Sequence, residues 1–178
     1  MRHKSISSGV ASITLALLTL SVLLSPARAM AQGPTTVKGG GVALLTDDSG
    51  LITPNTVNYS IQFGLSGVIN ADGSAVGHVN FVFPLPFAGV WGAVPGVTRI
   101  HIAGRVTSAE VLGDGAVVLE GTLTERDYAS GQGVVFIEEN VPFRIEVGGG
   151  LGPQALRLQW CLLPVFLITV TDGSLLTR

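Results

Sequence analysis

The chain has 178 residues, 47% of them hydrophobic and only 12% charged, with a formal net charge of -2. That length suits one domain with a core large enough to stand without staples. Lys4 and Lys38 are the only lysines, which argues against nucleic acid as a partner, since phosphate backbones are bound by lysine and arginine.

Residues 1–31 read as a secretory leader. Arg2 and Lys4 precede an apolar run from Val10 to Leu24, broken only by Ser12, Thr14, Thr19 and Ser21, and Pro26 and Ala29-Met30-Ala31 follow. The run is too short and too polar for a good membrane span, and no later stretch offers about 20 uninterrupted apolar residues. The expectation is cleavage near Ala31, a mature chain starting near Gln32, and a periplasmic or secreted protein with no membrane association. Cleavage removes Arg2, Lys4 and Arg28 but no acid, so the net charge moves from -2 to -5. An acidic surface with one remaining lysine strengthens the case against nucleic acid. Residues 32–178 then form a single domain, with 32–41, containing "VKGGG", as a flexible glycine-rich lead-in.

The rest of the chain predicts strands. Valine, isoleucine, threonine and phenylalanine alternate with polar residues, and glycine-rich turns recur at about ten-residue intervals. "TVNYSIQFGLSGVI" is a long strand with Ile61, Phe63 and Leu65 on one face. "NADGS" turns it back into "AVGHVNFVF", Gly73 supplying the positive φ of the turn. "PLPFAGVWGAVPG" reads as irregular. "VTRIHIAGRVTSAEVL" and "AVVLEGTLTE" form a hairpin across Gly113-Asp114-Gly115. "GVVFIEENVPFRIEV", the glycines at 148–150, "QALRLQWCLL", and then "VFLITV" paired with "SLLTR" across Thr171-Asp172-Gly173 complete the chain. The expected fold is all-β, an antiparallel sandwich or barrel of roughly eight to ten strands with no helix in the mature chain.

Side chains on a strand alternate between faces. Val79, Phe81 and Phe83 therefore share a face, as do Ile100, Ile102 and Val106, then Val117, Leu119 and Leu123, then Phe143, Ile145 and Val147. The opposite face collects His78, Asn80, Arg99, His101, Arg105 and Glu120, with Arg144, Glu146 and Arg157. Those residues either cover a solvated sheet surface or line a wide barrel, and the solvated surface is favoured because small barrels fill their interiors with apolar side chains. His78, His101 and Glu120 have the residue types of a two-histidine, one-carboxylate metal site, but the spacing is too loose to assign one, and no metal or cofactor is expected. Catalytic serine elbows, zinc-protease motifs and phosphate-binding loops are absent from the sequence. Cys161, among Leu158, Trp160, Leu162 and Leu163, is expected to be buried and inert. Glu125 and Asp127 in "TERDY" are expected on a solvated turn.

The order "VKGGG", a "DG" turn leading into "GHVNFVF", and then "IHIAGRVTSAEVLGDGAVVLEGTLTE" resembles exported bacterial domains of the post-COAP type, over most of residues 37–147. The resemblance implies a secreted all-β module without an established activity and supplies no site residues. The first expectation is thus a non-catalytic domain of the bacterial envelope or exterior that contacts a protein or glycan. The alternatives are a carrier holding a small apolar ligand, with Phe81, Phe83, Phe87, Trp91 and Trp160 as its lining, and a hydrolytic or metal-dependent enzyme using the His78/His101 face.

Overall fold

The computed structural model describes residues 34–47, 59–85, 87–161 and 165–178. The leader, and the cleavage point expected near Ala31, lie outside the described residues. Eight antiparallel strands follow one another around a closed barrel: β1 (Thr35–Asp47), β2 (Tyr59–Ile69), β3 (Ser74–Pro84), β4 (Val97–Val111), β5 (Val117–Ala129), β6 (Gly133–Val147), β7 (Ala155–Trp160) and β8 (Phe166–Thr177). Each pairs with the next in sequence, and β1 pairs with β8 to close the ring. Closure leaves no free outer strands at the ends of the sheet, which is how such sheets avoid edge-to-edge association.

Period-two patterning sets the strand orientation. In β2 buried and solvent-facing residues alternate from Tyr59 to Ile69, and the same alternation runs through β3 from Ala75 to Phe83. The apolar faces inferred from the sequence all point inward: Phe63, Phe81, Ile100, Ile102, Leu119, Leu123, Phe143 and Ile145 are buried. They join in one hydrophobic core inside the barrel, as expected for eight strands. Phe81, Phe83, Phe87, Trp160 and Phe166 are completely buried and stack along one half of the interior, with Phe83 5.2 Å from Trp160 and 4.9 Å from Phe87, centroid to centroid.

Four expectations are corrected. The glycine-rich lead-in is not loose: from Thr35 onward it is the closing strand β1, bonded on one side to β2 and on the other to β8. A Cβ on Gly39 would crowd Leu175 and Ser174, and Gly41 has φ 144° opposite Gly173 at a bulge, so these glycines permit close strand approach at the seam. "VFLITV" and "SLLTR" are not a hairpin but one strand, β8, whose Thr171-Asp172-Gly173 accommodates that bulge. "PLPFAGVWGAVPG" contains a short helix, α1 (Phe87–Trp91), and a single 3-10 turn follows β6 at Gly149–Leu151. The helix arises because Phe87 and Ala88 are drawn into the barrel end, where both are fully buried.

The two ends of the barrel differ. At the end holding the β2–β3, β4–β5 and β6–β7 connections, aspartates tie the turns. Asp72 Oδ1 accepts hydrogen bonds from the Ser74 backbone and hydroxyl at 2.9 and 2.6 Å. Asp114 accepts from Ala116 N at 3.0 Å and Gly150 N at 3.3 Å, linking two loops. These donors hold both carboxyls below the usual aspartate range. At the other end α1 packs on the aromatic residues through Phe87 and Trp91, and the segment after it is attached through Ala93 N–H and Val94.

Candidate functional site

The polar residues that the sequence places together lie on the outside of the barrel. His78 is exposed between Ser66 of β2 and Arg105 of β4. Asn80 accepts a 2.7 Å hydrogen bond from Nε2 of His101, one strand away. Partial burial, then the positive charges of Arg126 and Arg99, push the His101 imidazole below its ordinary range; because the Asn80 amide oxygen can only accept, Nε2 is the donor. Arg99 lies over the Tyr128 ring, its guanidinium carbon 4.1 Å from the centroid. Glu120 sits on β5 opposite Ser108 and Arg144, two strands from His78. It accepts a 2.6 Å hydrogen bond from Arg144, and Arg157 lies 3.7 Å from Glu146. Exposed pairs of this kind contribute little to stability, about 0 to 1 kcal/mol each. His78, His101 and Glu120 thus occupy three separate local arrangements.

The outer surface carries a groove. It runs across β4 to β7 with a volume of about 520 Å³, bordered by Thr122, Pro142, Gln159, Cys161 and the Glu120–Arg144 pair. Its lining offers hydroxyl, amide, guanidinium and carboxylate groups. The one aromatic residue among the lining, Phe143, turns its ring into the barrel and is buried. A second surface pocket of about 420 Å³ is lined by the 150–154 loop with Ala155, Arg157, Leu167 and Thr169.

Cys161 is exposed, contrary to the expectation of burial. Strand parity explains this: Leu156, Leu158 and Trp160 point inward, so the next residue emerges on the outer side. The backbone at Cys161 also turns into the left-handed region, φ 54°, where β7 ends, while its N–H donates to the Pro142 carbonyl at 3.1 Å. Apolar sequence neighbours do not bury a residue of the wrong parity. A maleimide reagent is expected to label Cys161 in the native protein at a rate close to that of the denatured chain; protection of several orders of magnitude would contradict its exposure.

"TERDY" is likewise corrected. It is not a turn but the last part of β5, and Glu125 and Asp127 continue the inward row of Leu119 and Leu123. Glu125 is 8% exposed and Asp127 is 0% exposed. Trp160 Nε1 donates to Glu125 at 2.9 Å, and the backbone N–H of Ala93, just beyond α1, donates to Asp127 Oδ2 at 2.7 Å. The second Asp127 oxygen and the Trp91 indole N–H are buried without a hydrogen-bond partner among the described residues. Burial raises both carboxyls above their usual range; for Glu125 the Trp160 bond opposes this, and the charges of Asp127 and Glu138 reinforce it. No described cation offsets either acid by an ion pair. Their inward position follows from continuing the strand's alternation past Thr124. Two acids at i and i+2, in register with an apolar row, were the available signal.

Among the described residues, no group of three or more His, Cys, Asp or Glu side chains is arranged to hold a metal ion. The five aromatic residues considered as a ligand lining do lie inside the barrel, but against one another: Phe81, Phe83, Phe87 and Trp160 are fully buried, and Trp91 packs on Phe87 and Phe166. No protein family, no curated protein and no solved structure matches this chain.

Proposed function

We propose that the chain is an exported, non-catalytic interaction module of the bacterial envelope or exterior, and that the groove across β4 to β7 receives an extended segment of a protein partner. The groove is the observation that carries this reading. The barrel interior is occupied by its own side chains, which directs attention to the outer surface. On that surface the polar side chains of the groove offer donors and acceptors along four neighbouring strands, suited to the exposed N–H and C=O groups of an extended segment. A glycan is the less favoured occupant, because the groove presents no exposed ring on which a sugar could stack. The leader pattern of residues 1–31 supports export.

The test has two parts. Protein recovered from the periplasm or medium of an expressing bacterium is expected to begin near Gln32 by mass spectrometry, and retention of residues 1–31 in a membrane fraction would refute export. The purified domain is then panned against a random peptide library and, in parallel, applied to a glycan array. Peptides whose binding is lost in Arg144→Glu and Gln159→Ala, with melting unchanged, are the expected result. Selection of glycans alone, or peptides indifferent to both substitutions, would overturn the assignment.

A further inference from the structure

We propose that α1 and residues 92–96 form a pH-sensitive cover over the aromatic end of the barrel, held shut while Asp127 and Glu125 carry protons and loosened when they ionise. The inference is independent of the outer groove. It starts from the way the cover is attached. Its apolar contacts are rings: Phe87 meets Tyr59 edge-on at 5.3 Å and Phe83 at 4.9 Å, and Trp91 meets Phe166 edge-on at 5.6 Å. Its polar tether to the barrel wall is the bond from Ala93 N–H to Asp127 Oδ2. A five-residue helix cannot hold itself together by its own backbone bonds, so whether the cover stays down depends on these attachments.

Asp127 is the group least suited to carry a charge where it stands. It is fully buried, and one of its oxygens has no partner among the described residues. The Ala93 N–H favours the charged form but is outweighed by burial, and no described cation faces the group to compensate an anion. Along its own strand the inward neighbour is the acid Glu125; across β6 its register partner is Phe136, while Glu138, paired with Glu125, is exposed and adds its charge to Glu125. From β4 the opposed residue is Ile100, while Arg99, beside it, lies outside over the Tyr128 ring. Residues 87–96 contain no ionisable side chain, and Tyr59 of β2 meets Phe87 rather than the acids. Lifting the cover brings water to the Asp127 carboxylate, so the lifted state tolerates ionisation better than the closed one.

The direction in pH follows from proton linkage. A carboxyl whose closed-state affinity for its proton exceeds that in water favours closure most at pH values below the ordinary carboxylate range. That preference is lost as pH rises through the elevated closed-state value. Both acids are raised by burial, so both act in this sense. Asp72 and Asp114, at the opposite end, are lowered and act in the other sense, losing their contribution as pH falls. The effect is therefore confined to the α1 end.

Hydrogen exchange by mass spectrometry, on the purified chain from about pH 4 to about pH 8 and corrected for intrinsic rates, reads the cover directly. Protection of residues 87–96 in the wild type is expected to fall at least about tenfold across that range, while β4 and β5 amides hold. In Asp127→Asn, which keeps an acceptor for Ala93 without the charge, and in Glu125→Gln, the fall is expected to shrink. A wild-type profile that is flat at 87–96, or one in which the strands lose protection in parallel, would overturn the proposal even if neither variant folds. So would folded variants that reproduce the wild-type fall.

Discussion

Trp160→Ala is expected to be the most damaging single substitution in the described barrel, lowering stability by about 4 to 8 kcal/mol. Emptying a fully buried indole site costs about 3 to 5 kcal/mol through lost transfer energy and the cavity left behind. The cavity would open beside Phe83 and Phe166, which contact the indole at 5.2 and 5.5 Å. The substitution also removes the donor to Glu125, leaving that buried acceptor unsatisfied at a further cost of about 1 to 3 kcal/mol. Trp160→Phe separates the two terms, since it keeps most of the ring and loses only the N–H. Its cost should be about 1 to 3 kcal/mol at neutral pH. That cost should shrink in acid, because the lost bond favours the ionised Glu125 and matters less once the carboxyl is neutral. Urea denaturation of the three proteins at two pH values measures all of this. An equal loss in Trp160→Phe at both pH values would mean the indole N–H has no part in holding the carboxylate.

Phe81→Ala is expected to cost about 3 to 5 kcal/mol and His78→Ala at most about 0.5 kcal/mol, although the two positions are three residues apart on one strand. Phe81 is fully buried and stacks between Phe63 and Phe83, with centroids 6.2 and 6.1 Å away. His78 projects from the outer surface, where solvent replaces whatever contact it makes. Parallel denaturation curves decide the comparison, and metal analysis of wild type and His78→Ala extends it. A loss in His78→Ala comparable to that of Phe81→Ala, or stoichiometric zinc or iron that disappears with His78, would place the histidine in a site rather than on a wall.

The contrast between those residues was legible before any coordinates, because it depends on a local rule. Alternation assigns each strand residue to one of two faces, and apolar content says which face is shared; β2 and β3 follow that rule, as do Ile100–Val106, Leu119–Ala129 and Val141–Val147. The same rule also contained the positions of Glu125, Asp127 and Cys161. It was overridden there by weaker habits: that acids near a turn face water, and that a cysteine among leucines is buried. Parity is enforced by backbone geometry at every residue, whereas composition only describes averages, so parity won at all three.

What no local rule supplies is which strands meet when the sheet curls. Whether the polar face is inside or outside, and whether the sheet is a sandwich or a ring, depends on β1 reaching β8, a pairing between residues more than a hundred positions apart such as Gly41 and Gly173. The bond between Trp160 and Glu125, 35 residues apart, exists because β7 and β5 look into the same enclosed space. The helix at Phe87–Trp91 likewise has no intrinsic preference behind it, and forms because Phe87 and Ala88 find an apolar place at the barrel end. The sequence by itself determined the strand character of β2 to β7 and the faces of most of their residues, since both are properties of neighbouring residues. Closure, the covered aromatic end and the two buried acids were decided by tertiary structure, because each depends on which distant segments share a low-dielectric interior.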